Sequence, residues 1–151
     1  MRFKWLVLAL LYAGCSQKED VVARMPADGD EQRKTEDVTL REFTWKRRVL
    51  LAFAPDHNEA LRAHLAAWSS VNSGFEARDM LRFEVIGSEV LRDGRVIGSA
   101  GELRRRFEPE GPLTVVLIGK DGGEKARAPS LAPADVFETI DAMPMRQREM
   151  E

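Results

Sequence analysis

Cysteine is almost missing from this chain: of 151 residues, only Cys15 carries a thiol. No intramolecular disulfide can form, and nothing beyond position 15 offers a thiolate for nucleophilic or redox work. Histidine is scarce too, with His57 and His64 alone. Charge of one sign is not in excess, since 23 basic against 25 acidic residues leave a formal −2. That balance gives no electrostatic footprint for nucleic acid as a partner. The run Arg104-Arg105-Arg106 does not alter this, because consecutive residues on a helix fan around its circumference. A solvated surface is expected of them. Long hydrophobic runs are absent as well. The apolar stretch Trp5 to Ala13 falls short of the ~20 residues a membrane span needs.

What is present begins with an address. Arg2 and Lys4 precede that stretch, which fits the h-region of a secretory signal peptide. It runs into "AGCS", Ala13 to Ser16, which resembles the lipobox of bacterial lipoproteins. The resemblance implies a multiply acylated Cys15, enough for durable membrane attachment where one lipid chain is marginal. Tyr12 departs from that motif, which usually carries leucine there. Ordinary cleavage near Gly14 or Cys15, leaving a soluble exported protein, is the alternative. The expected organisation is a signal peptide over 1–14, a lipidated Cys15 with a flexible tether over 15–39, and a folded domain over 40–151. Loss of Arg2 and Lys4 would leave 21 basic against 25 acidic residues, a formal −4. Ser16 to Val38 lacks aromatics and any sustained apolar period, so it cannot offset its ordering entropy. As a flexible coil of about two dozen residues it would span about 25–30 Å.

The folded part alternates in pattern. Val49 to Phe53 is apolar at consecutive positions, as in a strand buried on both faces. Asp56 and Glu59 then stand in a capping-box relation, with Asp56 as the cap, ahead of the stripe Leu61, Leu65 and Trp68. Leu81, Phe83 and Val85 alternate with Arg82 and Glu84, as on a partly exposed strand. Asp93-Gly94 marks a small hairpin. Ser99 and Glu102 repeat the capping-box spacing before Leu103 and Phe107. Leu113 to Gly119 reads as a second doubly buried strand, "KDGG" as a turn, and Glu124 to Ala128 as an edge strand. A last helix opens at Pro133 with the stripe Val136, Phe137, Ile140 and Met143, and Pro144 ends or kinks it.

This order, strand-helix-strand-helix and then a hairpin and a final helix, is α/β and resembles the thioredoxin fold, which implies a four-stranded mixed sheet flanked by helices. "TLREFTWKRRVLLAFAP", Thr39 to Pro55, is similar to the entry of thioredoxin-like and peroxiredoxin-like proteins. Pro112 lies near where that fold keeps a cis-proline. "GKDGGEK" and "IDAMPMRQREM" further resemble an uncharacterised family of exported bacterial thioredoxin-like domains. That resemblance implies fold and export, and no activity.

Redox members of the fold need a cysteine at the strand-to-helix turn, where the helix N-terminus lowers its pKa. Here the turn reads Pro55-Asp56-His57-Asn58. Disulfide exchange and thiol peroxidase chemistry are therefore not expected, and no cofactor is implied. Asp56 and His57 are weak catalytic candidates as an acid–base pair, weighed against a purely structural cap. His57 and His64 sit two helical turns apart, about 10.5 Å along the axis, too far to share one metal ion. His64 borders the apolar stripe and is expected to be a partly buried, hydrogen-bonded core histidine. Met143, Met145 and Met150 are weak candidates for Cu(I), since thioethers suit soft metals, but flexible core filling explains them more simply. "GKDGG" lacks the glycine spacing of a phosphate loop and reads as a turn. The expected function is a non-catalytic protein- or peptide-binding module of the cell envelope, membrane-anchored and facing the periplasm. The alternatives are an enzyme using Asp56 and His57, or a methionine/histidine metal-handling domain.

Overall fold

The first central strand forms where the apolar run is longest. In the computed structural model, which describes residues 36–151, β1 covers Arg48–Ala54, and every residue along it is buried. A strand alternates its side chains between two faces, so complete burial requires a layer on each. Leu50, Ala52 and Ala54 point into one core, and Val49, Leu51 and Phe53 into the other.

The first core is closed by α1 (Glu59–Trp68), the short α2 (Asn72–Ala77) and α4 (Pro133–Asp141). Its centre is aromatic: Trp68 meets Phe75 and Phe137 edge-on at 5.3 and 5.8 Å between ring centroids. The second core is closed by a single 3₁₀ turn (Arg41–Phe43) and α3 (Gly101–Phe107), with Phe53 against Phe107 at 5.8 Å. Glu36 and Val38 pair through their backbones with Ser99, so the described chain joins the sheet from its first residues.

The sheet has six strands in the order β4-β3-β2-β1-β5-β6. β2 (Met80–Ile86) runs parallel to β1, and the segment holding α1 and α2 supplies the crossover that parallel pairing demands. β5 (Thr114–Ile118) pairs antiparallel on the other side of β1, and β6 (Glu124–Ala128) forms the edge. β3 (Glu89–Arg92) and β4 (Arg95–Ser99) extend the far side as a hairpin. Asp93 and Gly94 both take positive φ at its tip, the conformation a two-residue hairpin turn requires.

The expectation of four strands is therefore corrected to six. The hairpin pairs with β2 and turns it from an edge into an interior strand. That is why Glu84, which the alternation assigns to solvent, is buried. In the arginine run, Arg105 and Arg106 are exposed as expected and only Arg104 departs from a solvated surface. Arg104 donates to the carbonyls of Gly87, Ala54 and Val85 at the carboxyl ends of the two parallel strands, while Arg105 reaches Asp37 and Arg106 reaches the Gly122 carbonyl. Ser99 and Glu102 form no capping box; the cap position is Ala100, with no side-chain bond. The last helix does stop before Pro144, which opens the short α5 (Pro144–Glu149). Residues 1–14 and most of the tether, Cys15 included, lie outside the described residues.

Candidate functional site

β1 hands the chain at Pro55 to the four-residue turn, and α1 starts at Glu59. Asn58 holds this junction. Its Oδ1 accepts from the Leu61 N–H at 2.9 Å, and its Nδ2 donates to the Pro112 carbonyl at 2.7 Å. One amide thus satisfies an orphan donor of the helix and fastens the turn to the loop that leads into β5. Asp56 is not the cap. It is exposed, and only its backbone takes part, its carbonyl accepting from the Asn58 N–H at 2.9 Å. The helix starts two residues later than a capping box with Glu59 needs, because Asn58 can bond both ways.

His57 is exposed beside Asp56, and the two side chains share no hydrogen bond. Neither is desolvated or aimed at a nucleophile, so the geometry supplies none of the usual supports of an acid–base pair.

His64, one and a half turns into α1, behaves differently. It is only 4% exposed, and neither Nδ1 nor Nε2 has a hydrogen-bond partner. Burial is thus as expected, but the expected hydrogen bond is absent: the ring lies tilted against Trp68 at 5.9 Å among apolar neighbours. Burial, with the positive charge of Arg82 second, lowers its pKa to about 4. The ring is therefore neutral at physiological pH.

His64 lines a cavity of about 300 Å³ between α1 and the segment Pro129 to Ala132 that leads into α4. Ala60, Ala63 and Ala67 form one wall, and Leu113 and Leu131 close it. Trp68 fixes the width, because its indole Nε1 donates to the Leu131 carbonyl at 3.0 Å. A second, larger cavity of about 580 Å³ shares Leu113 and Pro129 with the first and continues past Thr114 to Arg106, Glu110 and Arg127. Together they make a trough that starts apolar and ends charged, beside the Asn58–Pro112 junction.

The other foot of the sheet carries a separate cluster. Arg48, 1% exposed at the start of β1, donates to both carboxylate oxygens of Glu149 at 3.2 and 3.3 Å and to the Arg78 carbonyl at 2.9 Å. Lys120 adds bonds to Glu149 at 2.6 Å and Asp79 at 2.8 Å. Asp141 takes Arg78 at 2.5 Å and Arg146 at 3.4 Å. Burial opposes ionisation of Glu149, but bonds from Lys120 and Arg48 overcome it and hold the carboxyl at about 2. Met143 and Met145 line a cavity here, whereas Met150 is 55% exposed. The thioethers lie at the start of β1, whereas His57 follows its carboxyl end and His64 lines a different cavity. The structure does not bring the methionine and histidine donors together. Among the described residues no group of three or more His, Cys, Asp or Glu could hold a metal ion.

The sequence reading missed Asn58, Arg48 and Glu149. Asn58 carried a signal, a capping residue three before Leu61. Arg48 carried none, since "KRR" looks like ordinary solvated charge.

The family of the domain of unknown function DUF4174 matches residues 39–149. The chain belongs to that family. A rat sushi repeat-containing protein, SRPX, is 30% identical over 126 residues; the match covers 78% of this chain and 27% of SRPX. The chain therefore spans about a quarter of that relative's length. Among solved structures, a reduced 2-Cys peroxiredoxin of Plasmodium vivax superposes with a TM-score of 0.55 at 14% identity, covering 74% of this chain and 72% of that one. A Chlorobium tepidum protein assigned as the thiol:disulfide interchange protein DsbE gives 0.52 at 18% identity, covering 70% and 84%. This member of the DUF4174 family has a thioredoxin-like fold.

Proposed function

We propose that the domain binds a peptide segment of an envelope protein in the trough beside α1 and catalyses no thiol chemistry. The observation that carries this reading is the His64 cavity, a desolvated neutral imidazole beneath an alanine wall, next to a strand-to-helix turn without sulfur. A neutral imidazole with both nitrogens buried adds no charge to the alanine and leucine walls, which suits an uncharged apolar side chain better than an ion. The volume of the first cavity fits one side chain, and the adjoining trough accommodates the flanking residues.

The segment 1–14 is read as a signal peptide and Cys15 as the lipidated residue of an anchored, periplasm-facing protein, on the support of the "AGCS" junction alone. The motif over Ile140 to Met150 is likewise read as a signature of exported relatives.

The test is selection of random displayed peptides on the immobilised protein. Enriched sequences are expected to lose binding to Ala63→Arg, which fills an exposed wall position, and to keep binding to Asp56→Ala and His57→Ala. Peptides indifferent to Ala63→Arg, or a turnover that requires His57, would overturn the proposal.

A further inference from the structure

We propose a second binding site at the opposite foot of the sheet, one that takes a carboxylate carried on an apolar body. It shares no lining residue with the trough and stands or falls independently of peptide binding there. A cavity of about 260 Å³ lies between the β5–β6 turn and α5. Gly119 to Lys125 form one side of it and Met143 to Arg148 the other, so two sequence segments with no local reason to meet converge on one space.

The charge at this cavity is unbalanced. Arg48, Lys120, Lys125 and Arg148 line it; Glu149 and Asp79 pair with Arg48 and Lys120, and Asp121 with Lys125, which leaves the charge of Arg148 in excess. Asp121 is already engaged by Lys125 at 2.6 Å and by the Gly123 N–H at 3.1 Å. Glu149, the next acid, already receives three bonds from Arg48 and Lys120. Arg148 is exposed and has no ion pair among the described residues. Arg48 keeps one buried nitrogen, Nε, without a partner. Positive charge in a concave site with low-dielectric walls focuses an attractive field on an anion. A metal cation is disfavoured there for the same reason, whatever the thioethers offer.

The remaining walls define the rest of the ligand. Met143, Pro144 and Met145 are apolar, and methionine adapts to irregular shapes. Guanidinium and ammonium groups next to a flexible apolar wall suit a carboxylate with a short aliphatic or amino-acid body. A peptide carboxyl terminus and a free aliphatic acid both present that chemistry.

The experiment titrates isotope-labelled protein with N-acetyl-leucine, its amide, hexanoate and inorganic phosphate, following amide and methionine methyl resonances. Saturable shifts at Lys125, Met143 and Met145 are expected with the two acids and not with the amide. Preference for the acylated amino acid assigns a peptide terminus, and preference for hexanoate a free acid. Arg148→Glu, an exposed change outside the ion network, is expected to weaken either acid at least tenfold. Equal binding of acid and amide, phosphate binding as tightly as the acids, no saturable binding, or no loss in Arg148→Glu would overturn the proposal.

Discussion

His64 is the residue where burial and chemistry disagree most. Its two unpartnered nitrogens cost the folded state desolvation with nothing in return. Its folded pKa of about 4 lies below the ordinary 6.5, so between those values the unfolded chain binds the extra proton. Stability is therefore complete above about pH 6.5 and falls as pH drops toward 4. His64→Leu is expected to remove that slope and to gain about 1 kcal/mol at neutral pH, the scale of an unsatisfied buried polar group. Denaturant melts of both proteins from pH 7 to 4 check this; a slope kept by the variant would place the titration elsewhere. Leu51 and Leu117 are fully buried on opposite faces of the sheet. Truncating either to alanine is expected to cost about 2–5 kcal/mol, a large share of the roughly 5–15 kcal/mol of a typical domain. His57→Ala, at an exposed turn, should change almost nothing in the same melts.

Elements were legible where side-chain order alone decides them. Consecutive apolar residues marked β1 and β5 because burial on both faces leaves no place for a polar one. Alternation misled at β2, where Glu84 looks outward until the hairpin covers its strand. The capping residue was misplaced because Asp56 and Asn58 both satisfy the local pattern, and only the distant Pro112 carbonyl chooses between them. α5 is held by partners far away in sequence, which no local pattern encodes. Its grip rests on Glu149, which closes on Arg48 and Lys120. Glu149→Gln leaves Arg48 buried without its carboxylate and is expected to destabilise by about 1–3 kcal/mol. Because the folded pKa of Glu149 is depressed from 4.5 to about 2, its contribution is complete above about pH 4.5 and fades as pH falls toward 2. Amide exchange over residues 144–149 reads the effect directly; exchange unchanged in the variant would mean the helix is held by other contacts.

At the scale of the whole molecule, the frame is thioredoxin-like. Asn58 occupies the strand-to-helix junction as a structural staple, and the space beside α1 is left open. The proposed address rests on the first residues alone, on their composition and the "AGCS" junction, which lie outside the described residues. Cys15→Ala is expected to abolish palmitate incorporation and to move the protein from the membrane to the soluble fraction. Label retained by the variant would overturn the lipoprotein reading. The most direct test of peptide binding is backbone resonance mapping of isotope-labelled protein with a selected peptide. Shifts are predicted at Ala60, Ala63, Ala67, Leu113 and Leu131, with the peptide recovered intact. Shifts centred on Asp56 and His57 with chemical conversion of the peptide, or shifts confined to the β3–β4 hairpin, would contradict the account.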